Sequence, residues 1–189
     1  MKLERTVKAA MGKIRGTVAG VKLGDNVYIG LHVHITCGSS LTLEDDVQVR
    51  PHCDLFVGGN GLKIGRRSDI GTRNRIDGDV TLGEAVLLGP DNYISSEDHC
   101  YEDITKAIMD QGTYSPRKNG HNHLVIGEGS WGGCHCAIIG DVHIGRHCVI
   151  GSNPMVTRDI PDYCVVAGAP AKILRRYDIS SRTWIGDGQ

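Results

Sequence analysis

Histidine is the side chain that takes and returns protons near neutral pH, and this chain of 189 residues has nine. Three of them, His99, His121 and His123, fall in one stretch of irregular sequence between about residues 95 and 124. A group transfer to a hydroxyl needs such a base to remove the hydroxyl proton. It also needs hydrogen-bond donors for the negative oxygen that develops. Other reactive types are present but poorly arranged. The seven Cys show no disulfide framework and read as free thiols of a reducing compartment. In Cys134-His135-Cys136, strand alternation sends the two thiols and the imidazole to different sides. His121/His123 are two apart and His143/His147 are four apart. No two His are five apart, and no His/Cys set has a metal-ligand spacing, so no metal is expected.

The segments around the histidine-bearing stretch are strongly periodic. Aliphatic residues recur every six positions: 23, 29, 35; 43, 49, 55; 64, 70, 76; 82, 88, 94; 126, 132, 138; 144, 150, 156. Seventeen of these eighteen anchors are Leu, Ile or Val, and the exception is Gly132. Every break in the spacing follows a third anchor, so one coil is about eighteen residues with three unlike corners. Gly follows ten of the eighteen anchors, which suits corners that need positive φ or close packing. Six coils make a prism roughly 30 Å tall. Two residues before each anchor lies a second inward position. Cys53, Cys136 and Cys148 occupy it as buried apolar groups. Asn74 and Asn92 occupy it one coil apart and predict an internal amide ladder.

Composition agrees with this repeat. Gly is 26 of 189 residues and Phe occurs once, which suits short strands and tight corners better than a helical bundle. The formal charge of −1 leaves no electrostatic footprint for nucleic acid. No apolar run reaches membrane-spanning length. The basic first twenty residues lack the apolar stretch of a secretory signal, so a cytoplasmic location is expected.

The six-residue repeat resembles that of hexapeptide-repeat, left-handed β-helix proteins. The strings Val125–Gly133, Ile144–Ser152, Val156–Pro161 and Ala167–Lys172 are similar to those of maltose and galactoside O-acetyltransferases. They equally resemble the acetyltransferases of polysaccharide and lipopolysaccharide biosynthesis. The resemblance covers roughly residues 20–175. It implies an all-β solenoid of about six coils with a long loop insertion and short terminal helical segments. The expected layout is a basic cap at 1–20, a β-helix at 21–169 with the loop at 95–124, and a tail or cap at 170–189. It further implies an acetyl-CoA-dependent O-acetyltransferase acting on a sugar or glycoconjugate hydroxyl by direct attack in a ternary complex. An N-acetyltransferase of amino sugars is the alternative, and a carbonic-anhydrase-like trimer or a non-catalytic scaffold are more distant ones.

His99 falls where the family places its catalytic histidine and is the expected general base, with Asp98 or Glu97 to orient it. Trp131, Gly133, Cys134, Ser152, Thr157, Arg158, Lys172 and Arg175 are the positions the resemblance assigns to acetyl-CoA. Arg73, Arg75 and Asn92 are candidates for the acceptor, the two arginines for an anionic one. The oxyanion would meet backbone N–H groups near Gly133. The implied partners are a small saccharide and two further copies of the chain, in a homotrimer with active sites at subunit interfaces.

Overall fold

The structure is a computed structural model and describes residues 22–37, 40–112 and 122–186. The expected basic cap at 1–20 lies outside these residues, as does His121.

The anchors stack as the repeat predicts. On the first face, Leu23 pairs with Leu43, Leu43 with Ile64, Ile64 with Leu82, Leu82 with Ile126, and Ile126 with Ile144. On the second, the column runs Ile29, Val49, Ile70, Leu88, Gly132, Ile150, Val166. On the third it runs Ile35, Leu55, Ile76, Ile94, Ile138, Val156. All these pairings are parallel. The result is a parallel β-solenoid of about 7 turns, the architecture expected of a left-handed β-helix. Its interior is one continuous aliphatic core, with Leu41, Leu43, Leu55, Ile64, Ile70, Ile76 and Leu82 fully buried.

A seventh turn extends the six that the repeat gives. Ile160 bridges to Ile144, and Val166 pairs with Ile150. The six-residue rhythm hides it, because Ile160 follows Val156 by four residues and precedes Pro161. After the Ala171 N–H bonds the Met155 carbonyl, the chain reverses at Lys172. Residues Lys172–Asp178 and Thr183–Gly186 form antiparallel strands on Cys164–Ala167. This end is therefore closed by a β-meander where a short helical segment was expected. Antiparallel pairing covers the last rung, an edge that would otherwise stay open.

The corners revise the role given to glycine. The left-handed residue of each corner lies three positions after the anchor and is seldom Gly. At the first corner it is Asn26, Asp46, Arg67, Ala85, His147 or Tyr163, and at the second His32, His52, Arg73, Asp91, His135 or Asn153, all with φ between 51 and 63°. The Gly directly after the anchor serves close approach. A Cβ at Gly71 would lie 2.6 Å from the Gly89 carbonyl oxygen, and one at Gly83 would lie 2.6 Å from the Glu128 nitrogen. In the middle coils the third corner places its glycines differently, with Gly61 and Gly78 at φ of 111° and 88°. Asp54–Ile64 and Arg75–Leu82 run through it as continuous strands, joining the third face to the first.

The internal polar ladder forms as expected. The Asn74 side-chain oxygen accepts the Asn92 N–H at 2.9 Å, and the Asn92 oxygen accepts the Cys136 N–H at 2.7 Å. Both side-chain amides donate to the Gly89 carbonyl.

Candidate active site

The long loop replaces the third corner of one coil. It leaves the third face after Ser95 and rejoins the first at His123–Leu124, and the strand Arg75–Leu82 passes beneath both ends. His99 lies four residues into the loop. With Arg75, Asp77, Tyr93, Ser95, Glu97, Asp98 and Ile139 it lines a cleft of about 210 Å³ on the third face.

The floor of this cleft is rigid. The Arg75 guanidinium donates to Asp77 Oδ2 at 2.8 Å and lies 4.5 Å from the Phe56 ring centre and 5.8 Å from that of Tyr93. The Asp77 carboxylate beside it raises the affinity of Arg75 for its proton. Stacking and pairing together fix the plane of the guanidinium. The loop departs from buried Ser95 and Ser96. Ser95 Oγ donates to the Glu97 carbonyl and accepts the Glu97 N–H, a tight local turn. Asp98 Oδ1 accepts the His99 backbone N–H at 2.8 Å. This contact orients the His99 main chain, whereas an imidazole contact was expected of Asp98. His99 itself is exposed at the mouth of the cleft. The loop then closes on itself: Cys100 N–H donates to the Gly112 carbonyl, and the Gln111 amide bonds the backbone of Asp103 and Lys106. Gln111 was not foreseen, because only the folded loop shows what its amide reaches.

His123 has a different environment. It sits on the first face, across the third corner from His99. Its Nε2 lies 2.9 Å from Thr81 Oγ1, and its N–H donates to Asp141.

Apart from Gly133, the residues assigned to acetyl-CoA divide into four groups. Cys134 and Ser152 stack at the second corner, with Ser152 Oγ 3.3 Å from both the nitrogen and the sulfur of Cys134. Thr157 and Arg158 follow Val156, past the end of the third-face strand, and both are exposed. Trp131 and Arg175 lie on the outward row of the second face, linked through Val149 and Val165. Lys172 pairs with Ala167 beside the second corner. Within one protomer, then, Trp131 and His99 stand on different faces, with the Cys134–Ser152 corner between them.

Gly133 is held close by its neighbours. Its N–H donates to the Ile150 carbonyl at 2.8 Å, and a Cβ there would lie 2.7 Å from Ser152 Oγ. That N–H is spent in the ladder and is not an oxyanion donor. The Cys134 N–H donates to Ser152 Oγ over a longer 3.3 Å.

Charge pairing separates the cations. Arg73 is bidentate to Asp91 at 2.7 and 2.8 Å, in the second-corner row and away from the His99 cleft. Arg50, Arg66 and Arg146 also face carboxylates. Arg158, Lys172 and Arg175 are exposed and have no carboxylate partner among the described residues. Of the acceptor candidates, only Arg75 reaches the cleft. Asn92 is 2% exposed and its amide is fully used by backbone, so it belongs to the core ladder and not to a binding surface. Among the described residues no three His, Cys, Asp or Glu side chains converge as metal ligands.

No family model matches the chain. A probable acetyltransferase of Mycobacterium tuberculosis is 32% identical over 158 residues, 80% of this chain and 49% of that protein. A galactoside O-acetyltransferase of Escherichia coli is 33% identical over 139 residues, 71% of this chain and 63% of that protein. The chain thus spans about half to two thirds of the length of these relatives. Among solved structures, AntD, an N-acyltransferase from Bacillus cereus in complex with dTDP and 3-hydroxybutyryl-CoA, superposes with a TM-score of 0.74 at 15% identity, covering 89% of this chain and 90% of that one. Repeat, fold and relatives agree: the chain is a hexapeptide-repeat β-helix related in sequence to acetyltransferases.

Proposed function

We propose that the protein is an acetyl-CoA-dependent O-acetyltransferase that modifies a hydroxyl of a saccharide or glycoconjugate precursor. The observation that carries this reading is the His99 cleft: an exposed imidazole over a rigid polar floor, on a loop set where the coil is interrupted. His99 takes the acceptor hydroxyl proton as that oxygen attacks the thioester carbonyl. A C–O bond forms, the tetrahedral oxyanion is held by backbone donors such as the Cys134 N–H, and the C–S bond then breaks. His99 returns the proton to the departing thiolate, so the step releases CoA thiol and the acetyl ester. No covalent enzyme intermediate is needed.

Cys134 and Ser152 offer polar groups to an extended pantetheine along the second corner. Arg158, Lys172 and Arg175 meet the phosphates, consistent with their lack of carboxylate partners. Because Trp131 and His99 face different ways, the complete site needs a second copy, and the expected assembly is a homotrimer. Two features support an interface. Ile104 is 96% and Met109 86% exposed on the loop, and Leu87 and Trp131 are half exposed on the second face. The free described thiols fit a cytoplasmic setting.

The reading is tested by a screen of sugars, amino sugars and nucleotide sugars with acetyl-CoA, following thiol release. Saccharide-dependent release with an ester product supports it. An amide product selects N-acetylation. No release with any acceptor, together with no CoA binding at millimolar concentration, supports a scaffold.

A further inference from the structure

The strand beneath the His99 cleft runs on past the third corner. The strand Arg75–Leu82 carries its outer surface from the third face to the first, placing Arg75 and Asp77 in the cleft and Asp79 and Thr81 in a second groove of about 480 Å³. The loop bearing His99 leaves on one side of this corner, and His123, on its returning end, roofs the groove.

The groove is a built feature. Its floor is the outward row Thr42, Lys63, Thr81. Its wall is a four-residue irregularity in the strand Asp54–Ile64, where the register shifts between Val57 and Leu62. Asp79 holds that wall in place. Its carboxylate, 9% exposed, accepts the Asn60 N–H at 2.8 Å and the Asn60 amide at 2.6 Å. The Thr81–His123 contact fixes the roof.

The lining also restricts what fits. Among the described residues that line it the His123 imidazole is the one aromatic ring, so they offer little stacking platform for a nucleobase. Lys63, the one lysine or arginine among the described lining residues, lies 2.8 Å from Glu44, so its charge is already balanced and a phosphate gains little from it. What remains are hydroxyls that both donate and accept, on Ser40, Thr42 and Thr81. That surface matches a neutral ligand rich in hydroxyls.

We propose that this groove is a second acceptor subsite. It holds the sugar residue next to the one acetylated in the His99 cleft, so the preferred acceptor is a disaccharide or longer glycan. The proposal rests on the acetyl-acceptor reading of that cleft.

The test uses the full-length protein with acetyl-CoA and two pairs of acceptors, galactose with lactose and glucose with maltose, measured by thiol release. For the monosaccharide that is accepted, its disaccharide should have a kcat/KM higher by about tenfold, the gain of a few added hydrogen bonds. The Thr42→Val, Lys63→Ala double variant, with its fold checked by thermal melting, should bring the ratio to about one and leave monosaccharide turnover unchanged. Equal kcat/KM for mono- and disaccharide in the wild type overturns the subsite alone. Equal losses on both acceptors in the variant also overturn it. Thiol release with none of the four sugars overturns the subsite, and the broader acceptor screen then decides the saccharide reading by itself.

Discussion

Ser96 Oγ accepts the Asp79 N–H at 2.8 Å, tying the first buried residue of the His99 loop to the strand beneath the third corner. Gly78, with φ of 88°, makes room for it. A Cβ at Gly78 would collide with that Oγ and lie 3.1 Å from Glu97 Cγ. Gly78→Ala should therefore displace the 96–99 segment. Because small misplacements of a catalytic group cost heavily, kcat should fall about 10- to 100-fold while the KM for acetyl-CoA stays near normal. Steady-state kinetics on the folded variant check this.

Two glycine substitutions should separate close approach from mere smallness. Gly71→Ala drives a methyl group into the backbone of the next coil, 2.6 Å from the Gly89 oxygen, and should cost about 1–3 kcal/mol or more. Gly132→Ala adds the same methyl to the same face. There it meets only the flexible end of Leu88, at 3.0 Å. It should change stability by less than about 1 kcal/mol, since a strand glycine carries an entropic cost that Ala relieves. Denaturant melts of both variants give the comparison.

The thiols should divide by burial. Burial pushes Cys53 and Cys136 up to about 11 and raises Cys148 as well. At neutral pH these remain protonated and unreactive. Half-buried Cys134 should be alkylated faster than any of the three, and acetyl-CoA should protect it. Native labelling with mass spectrometry reads both results. Because these folded values lie above the unfolded ones, the groups contribute stability that is complete below the ordinary thiol range. That contribution is lost as pH rises through about 11.

Removal of a phosphate-binding cation should be felt in one substrate only. Lys172→Ala or Arg158→Ala should raise the KM for acetyl-CoA about 5- to 50-fold with little change in kcat, because a uniform binding contact is lost. Arg73→Ala, which breaks a surface pair with Asp91, should leave both constants unchanged.

The register of the solenoid was legible in the sequence because each anchor repeats one physical need, an aliphatic side chain pointing into a narrow prism. Residues 94 and 126 kept that meaning across the loop, and Ile94 and Ile126 indeed pair with Ile76 and Leu82. Ile160 escaped because a shortened corner brings it two residues early. Asn92 was ambiguous, since an amide serves a ladder and a ligand equally well until its depth is known. The two roles of corner residues were merged in the sequence, where Gly after the anchor drew attention from the left-handed residue two positions further on. Contacts formed by the loop, such as Gln111 with Asp103 and Asp98 with the His99 backbone, depend on irregular geometry that no period encodes.

His99→Ala tests the central claim most directly. With an acceptor from the screen, kcat should fall about 10²- to 10⁴-fold, while the Kd for CoA by calorimetry stays within about twofold of wild type. A variant that folds, binds CoA and turns over at a near-normal rate would contradict the assignment of His99 as the base.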